Sequence, residues 1–189
     1  MVIRDAQQDE LAEVGEIRVN AYLADGYLSP DSGYAPRLRE LGSDGGGPVL
    51  VAADHDTVVG TVMLQTWPNG GEFLRGPDEA EIRALAVRPE ARGRGVGRAL
   101  VDAVIERAGS LGVRHLLLLT QQEMKTAHRL YEKAGFARLP ERDLSPEPGV
   151  SLLAYGLDLD VRLWLRPAPG TVARRLGSKE SRATPARQS

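Results

Sequence analysis

A single mixed α/β domain is the fold class this sequence predicts, and three observations predict it. Two alternating apolar runs, "VLVAAD" at 49–54 and "VVGTVMLQTW" at 58–67, are separated by a short polar turn and read as an antiparallel hairpin. The strand "AEIRALAV" at 80–87 then runs through a glycine-rich loop into an amphipathic helix, and the continuous apolar run "HLLLLT" at 115–120 follows, which makes a βαβ-like unit. Finally, 189 residues with 42% apolar and 26% charged side chains suit one globular core rather than two.

The elements follow in chain order. "VIR" at 2–4 is a short strand, and Leu11, Val14, Ile17 and Ala21 then recur on one face of a helix. A second helix runs to Leu41, with Pro36 suited to a first turn, where a missing N–H costs nothing. "SDGGG" at 43–47 breaks the pattern before the hairpin, which turns at His55 and Asp56. A loop containing "NGGEFLRGPD" leads to the strand at 80–87. Behind the glycine loop, Val96, Ala99, Leu100, Ala103, Val104 and Leu111 form a helix ending near Gly112. Beyond the strand at 115–120, a short helix carries Ala127, Leu130, Tyr131 and Ala134, stops at Gly135 and leads to a strand starting at Phe136. Alternation from Leu153 to Leu165 reads as one long last strand, whose exposed edge would allow a homodimer by strand pairing, a monomer being the other option. Residues 166–189 are rich in Pro, Ser, Gly and Arg without periodicity. They read as a disordered tail, leaving a domain at 1–165.

Composition excludes several function classes. The formal net charge is −2, and although the tail carries six basic residues against one acidic, it has no aromatic side chain on which a base could stack, so nucleic acid is not an expected partner. The start, "MVIRDAQQDE", has neither a basic nor an apolar leader region, and no segment approaches the length of a membrane span; a cytoplasmic location is expected. Without cysteine there is no disulfide, thiolate metal site or cysteine nucleophile. His55, His115 and His128 lack metal-ligand spacing, so no metal is assigned, and His128 reads as a solvated helix position four residues from Glu132. The three lysines Lys125, Lys133 and Lys179 leave 21 arginines among the 24 basic residues, so an isolated arginine says little.

Most of the chemistry lies in "RPEARGRGVGRAL" at 88–100. Glycines between a strand and a helix let backbone approach a ligand, and the unpaired N–H groups at the helix start favour an anion such as phosphate. A dinucleotide fingerprint G-x-G-x-x-G fails here, because the third glycine position is Arg98 counted from Gly93 and Leu100 counted from Gly95; no Walker A string occurs either.

What fits is R-x-x-G-x-G at Arg92, Gly95 and Gly97, and with "AHRLYEKAGF" at 127–136 it resembles the two characteristic segments of the GNAT-superfamily N-acetyltransferases. The resemblance covers about residues 2–159. It implies a GNAT-like α+β fold, with a mostly antiparallel twisted sheet of about seven strands that includes a parallel splayed pair, flanked by about four helices. It implies acetyl-coenzyme A as donor, with Arg92, Gly93, Arg94, Gly95, Val96, Gly97 and Arg98 around the pyrophosphate, the glycines avoiding a Cβ that would intrude. Leu85, Ala86 and Val87 would pair with the pantetheine arm. Tyr131 matches the tyrosine that protonates the departing thiolate, the alternative being a residue that merely packs its helix. Glu81, read on one face with Arg83, Leu85 and Val87, matches a position where some members carry the general base; Glu79 is the competitor. Met124 stands where many members have asparagine, which leaves the start of that helix without its usual cap. The segments 21–34 and 67–78 would wall the acceptor site, with Trp67, Tyr22, Tyr27, Tyr34, Asp25 and Asp31 suited to a cationic amine of a small molecule or peptide. With no cysteine, direct attack within a ternary complex is the expected route. A non-catalytic acyl-coenzyme A-binding module is the other function class open to this fold.

Overall fold

The computed structural model describes residues 1–43, 45–69, 73–146 and 150–160. Strand β1 (Val2–Asp5) leads through a 3-10 turn at Gln8–Glu10 into helix α1 (Leu11–Ala24), and α2 (Tyr34–Glu40) follows. Glu10 sets that entry: its carboxylate accepts the Gln7 N–H at 2.8 Å and both ends of the Arg4 guanidinium at 2.6 and 2.7 Å, so strand and helix are tied together. The predicted hairpin is β2 (Val49–Asp54) and β3 (Thr57–Thr66). Strand β4 (Glu79–Val87) precedes α3 (Val96–Ser110), and β5 (His115–Gln121), α4 (Lys125–Lys133), β6 (Ala137–Arg138) and β7 (Leu152–Asp158) complete the order.

The seven strands form one sheet in the order β1-β2-β3-β4-β5-β7-β6. Neighbours are antiparallel except β4 and β5, which run parallel and pair only from Glu79↔His115 to Ile82↔Leu118. Beyond that point β4 stays with β3 and β5 stays with β7, so the sheet opens between them. This is the mixed sheet with a splayed parallel pair that the family resemblance implied, and α1 to α4 are the four helices.

A bulge in β4 changes the face assignment made from sequence. Thr61 pairs with Ala86 and Met63 with Arg83, so one residue on β3 faces two, Ala84 and Leu85, on β4. Ala84 takes the left-handed region at φ 52°, a conformation that costs an alanine on the order of 1 kcal/mol. Alternation therefore restarts at the bulge. Ala80 and Ile82 pack towards α3, which sends Glu81 and Arg83 to the α1 side; Leu85 and Val87 then return to the α3 cluster, and Ala86 joins the α1 cluster. Glu81 and Arg83 do not share a face with Leu85 and Val87, contrary to simple alternation.

Both sides of the sheet are covered. Val96, Leu100, Val101, Val104 and Ala108 of α3 pack on Leu50, Ala52, Val62 and Leu64, while Val14, Ile17 and Ala21 of α1 pack on Val49, Val51, Val58 and Met63. At Gly60 on β3, an added Cβ would lie 3.0 Å from Val96 Cγ1 and 3.0 Å from the Ala86 carbonyl oxygen, so the absent side chain is what lets the first turn of α3 press against the sheet beside β4.

The last strand also differs from expectation. β7 ends at Asp158 and lies between β5 and β6, so it is not the exposed edge on which strand-paired dimerisation rested. Leu153 and Leu157 do face the α3 cluster as predicted, and Tyr155 is buried within it. The continuation from Val161 to Leu165 and the tail at 166–189 lie outside the described residues.

Candidate active site

The opening between β4 and β5 is a cavity of about 380 Å³. One wall is β4 from Ala84 to Val87, and the facing wall is Leu119 and Thr120 of β5. The glycine loop and the first turn of α3 close one end, through Arg92, Gly93, Gly95, Val96, Gly97 and Arg98. Thr126, Ala127, Leu130 and Tyr131 of α4 cover it, with Met124 just before them, and Ala21, Tyr22, Asp25 and Tyr27 come from the end of α1 and the loop after it. Segments far apart in sequence thus converge on one site because the parallel pair stops early.

The loop offers main-chain donors. The first bond of the α3 ladder runs from the Ala99 N–H to the Gly95 carbonyl at 3.0 Å, which leaves the N–H groups of Val96, Gly97 and Arg98 without carbonyl partners inside the helix. Two of the loop's glycines also meet local constraints of the protein itself. Gly95 caps the helix at φ 81°, a left-handed conformation that glycine adopts freely, and a Cβ there would meet no protein atom within 4 Å. A Cβ at Gly97 would face Leu130 Cδ2 at 3.4 Å and Val87 Cγ2 at 3.8 Å, at the junction of α3, α4 and β4. Arg92 spans the site: Nε donates to the Val87 carbonyl at 3.3 Å and Nη1 pairs with Asp25 at 2.6 Å. Arg94 is the departure in this group. Its side chain pairs with Asp54 at 2.6 Å and does not line the cavity.

On α4, Tyr131 is 6% exposed, stacks edge-on with Phe136 at 5.8 Å, and its hydroxyl makes no hydrogen bond among the described residues. Burial pushes its phenol well above the ordinary range, with the Tyr22 phenol adding to the effect, so it keeps its proton at neutral pH. The helix forms without an asparagine cap. Met124 makes no side-chain cap, and α4 is tied to β5 instead by His128, whose Nε2 donates to the Gln121 carbonyl at 3.0 Å while its ring lies 5.6 Å from that of Tyr155. His128 is 7% exposed and not the solvated residue predicted, since its side of the amphipathic helix turns inward.

The two glutamates of β4 separate clearly. Glu79 forms an ion pair with Arg142 at 2.9 Å and accepts the Arg75 N–H at 2.7 Å; the bond to Arg142 is the main reason its carboxyl lies below the ordinary range. Glu81 is 6% exposed, and burial pushes it up to about 7 against a weaker opposing pull from Arg83, whose Nε lies 3.9 Å away. A carboxyl near neutrality can both take and release a proton, whereas Glu79 is held ionised. Glu81 does not itself line the cavity; its neighbour Ile82, which faces the α3 cluster, does.

Other expected wall residues are placed elsewhere. None of the described residues of 67–78 lines the cavity. Trp67 is 43% exposed, and Phe73 and Leu74 instead bury with Leu117 and Ala154 on the outer half of the sheet. Tyr34 and Asp31 are exposed, and Asp25 is committed to Arg92 rather than left for a cationic amine. Residues that sequence reasoning passed over include Leu119, Thr120 and Arg18. The last carried a signal: it continues the apolar face of Val14 and Ile17, where a charge is out of place. Among the described residues no group of His, Asp and Glu could hold a metal ion, and no helix is long and apolar enough to cross a membrane.

Comparison with known proteins follows the same lines. The family model for the Acetyltransferase (GNAT) family matches residues 13–136, and the chain belongs to that family. A mycothiol acetyltransferase of Geodermatophilus obscurus is 36% identical over 90 residues, 47% of this chain and 28% of that protein. An uncharacterized N-acetyltransferase of Schizosaccharomyces pombe is 32% identical over 124 residues, 66% of this chain and 72% of its own length. Among solved structures, yncA of Salmonella typhimurium, determined with its cofactor acetyl-CoA, is similar with a TM-score of 0.63 and 25% identity over 91% of this chain and 99% of that one. The chain spans about a third or less of the length of the first two mycothiol acetyltransferases it matches.

Proposed function

We propose that this protein transfers an acetyl group from acetyl-coenzyme A to a primary amine of a small molecule or peptide, by direct attack within one ternary complex. One observation carries the reading: the early end of β4–β5 pairing brings the strand residues Leu85 to Val87, the helix-capping glycine loop and Tyr131 to the same cavity. The residues present fit the donor. An elongated acyl carrier needs a groove with main-chain partners, which the stretch of β4 not paired with β5 supplies, and an anion site, which the start of α3 with Arg92 supplies.

Roles follow from the chemistry of an amine meeting a thioester. A free amine must be generated from an ammonium of pKa near ~10. Glu81 is the proposed acceptor of that proton, taking it through a relay since it does not itself line the cavity. Tyr131 holds its proton at neutral pH and is the proposed donor to the sulfur as the C–S bond breaks. Orientation accounts for much of the rest, because holding amine and thioester together removes the cost of their encounter. A cytoplasmic setting belongs to the same reading, with monomer and homodimer both compatible with it.

The test is release of coenzyme A thiol from acetyl-coenzyme A in the presence of a broad panel of primary amines. Amine-dependent release, with the acetylated amine recovered by mass, supports the reading. Tight acetyl-coenzyme A binding with no turnover on any amine would return the binding-module alternative.

A further inference from the structure

Helix α1 buries a cation on its apolar face. Arg18 is 0% exposed, one turn before Ala21 and Tyr22, which line the cavity. Its Nη1 donates to the Leu41 carbonyl beyond α2 at 2.6 Å, whereas Nε and Nη2 are buried and make no hydrogen bond. Buried N–H groups of a charged side chain are costly to leave unmet. Nearby acids do not relieve it. Glu13 pairs with Arg88, Glu16 with Arg39 and Asp25 with Arg92, each at 2.6 Å. Across the interface stands a second cation, Arg83, whose own partners are Gln65 at 2.6 Å and Glu81 at 3.9 Å. Arg18 is lowered to about 10, chiefly by burial and in part by Arg83, against the opposing pull of the Tyr22 and Tyr34 phenols.

The unmet pair has a specific geometry. Nε and Nη2 lie on one edge of the guanidinium, the edge that receives a carboxylate through two parallel hydrogen bonds. The edge facing Leu41 is already used for a structural contact, so the side chain is anchored with its recognition edge left over. Arg18 does not itself line the cavity; Tyr22, four residues on, does, and the segment after α1 is mostly exposed and adds only Leu28 to the buried core.

We propose that Arg18 is a specificity residue for the acceptor, and that the amine acetylated by this protein is a small amino acid-like molecule whose carboxylate pairs with Nε and Nη2 behind Tyr22. This rests on the acetyl-transfer reading above and narrows its acceptor from primary amines in general to amino carboxylates. Arg83 adds a second positive charge to the same region. Glu81, ion-paired to Arg83, then stands near the acceptor it serves.

The experiment pairs each free amino acid in a panel with its carboxamide, in which the amine is kept and the negative charge removed. Two readouts are taken on the full chain: thiol release from acetyl-coenzyme A, and the shift of the melting temperature by each amine alone. For the true acceptor the acid exceeds its amide by at least tenfold in kcat/KM and raises Tm where the amide does not. Arg18→Met, which keeps length and apolar bulk, abolishes both preferences, bringing each acid to the level of its amide. Arg18→Lys, which keeps charge but not the two-pronged edge, weakens the preference. Acids that raise Tm through Arg18 without any turnover would support the carboxylate site while sinking the transfer reading. Turnover confined to carboxylate-free amines, or equal use of acid and amide, overturns the proposal and leaves transfer standing. So does a preference unchanged in Arg18→Met, which would make Arg18 only a clamp on the end of α2.

Discussion

Replacing Glu81 by glutamine separates two consequences of one buried carboxyl. Burial raises it from an ordinary 4.5 to about 7, so ionising it inside the fold is opposed by about 3 kcal/mol at ~1.36 kcal/mol per pH unit. Because the folded value is the higher one, the neutral form's advantage is fully present below pH 4.5 and is lost as pH rises through 7. The wild-type protein should therefore lose stability across that window, and Glu81→Gln, which never ionises, should not. Its gain over wild type is under about 1 kcal/mol at pH 5 and about 3 kcal/mol at pH 8, less whatever the 3.9 Å contact with Arg83 contributed. For a domain of this size that difference appears as a Tm advantage larger by roughly 5–10 °C at pH 8 than at pH 5. Activity should move the other way. Wild-type kcat/KM rises with an apparent pKa near 7, and Glu81→Gln loses most at neutral pH and regains part at high pH, where free amine is abundant. The assays are thermal melts and thiol-release profiles at matched pH. Equal stabilisation at both pH values, or none at pH 8, would refute the buried-carboxyl argument; a uniform loss of activity at every pH would make Glu81 positional. Glu79 is a poor substitute base, because its bond to Arg142 keeps it ionised.

Three further outcomes follow from the site. Tyr131→Phe should slow the chemical step on the order of ten- to a thousandfold with acetyl-coenzyme A affinity little changed, since a general acid acts in the transition state; normal turnover in single-turnover kinetics would pass the role to another group. Gly97→Glu should abolish acetyl-coenzyme A binding by calorimetry while the fold persists. The Cβ meets only side-chain atoms at 3.4 Å and beyond, and the carboxylate opposes phosphate at the helix start; unchanged affinity would move the anion site. Truncation after Arg166 should leave turnover of acetyl-coenzyme A within a factor of a few, and a large loss would make the tail part of the site.

Sequence alone determined the order of elements, the hairpin, the glycine loop before α3 and the family, because these rest on local signals. Glycines at 93, 95 and 97 between a strand and a helical pattern carry their meaning within a few residues. The apolar runs at 115–120 and 153–157 likewise declare strands buried against neighbours. What the sequence could not decide is where alternation is interrupted and which distant charges meet. The bulge at Ala84 is set by the register of β4 against β3, and it alone turns Glu81 and Arg83 away from Leu85 and Val87. His128 is buried because α4 lies against β5 and β7, a packing that no helical pattern of nine residues reports. Arg92 finds Asp25 from 67 residues away, and Arg94 finds Asp54 from 40, in a chain where arginine is the default cation. Local periodicity reports which face is apolar, but pairing across the sheet and between helices chooses which polar groups are buried together, and the chemistry of Glu81 and Arg18 depends on that choice.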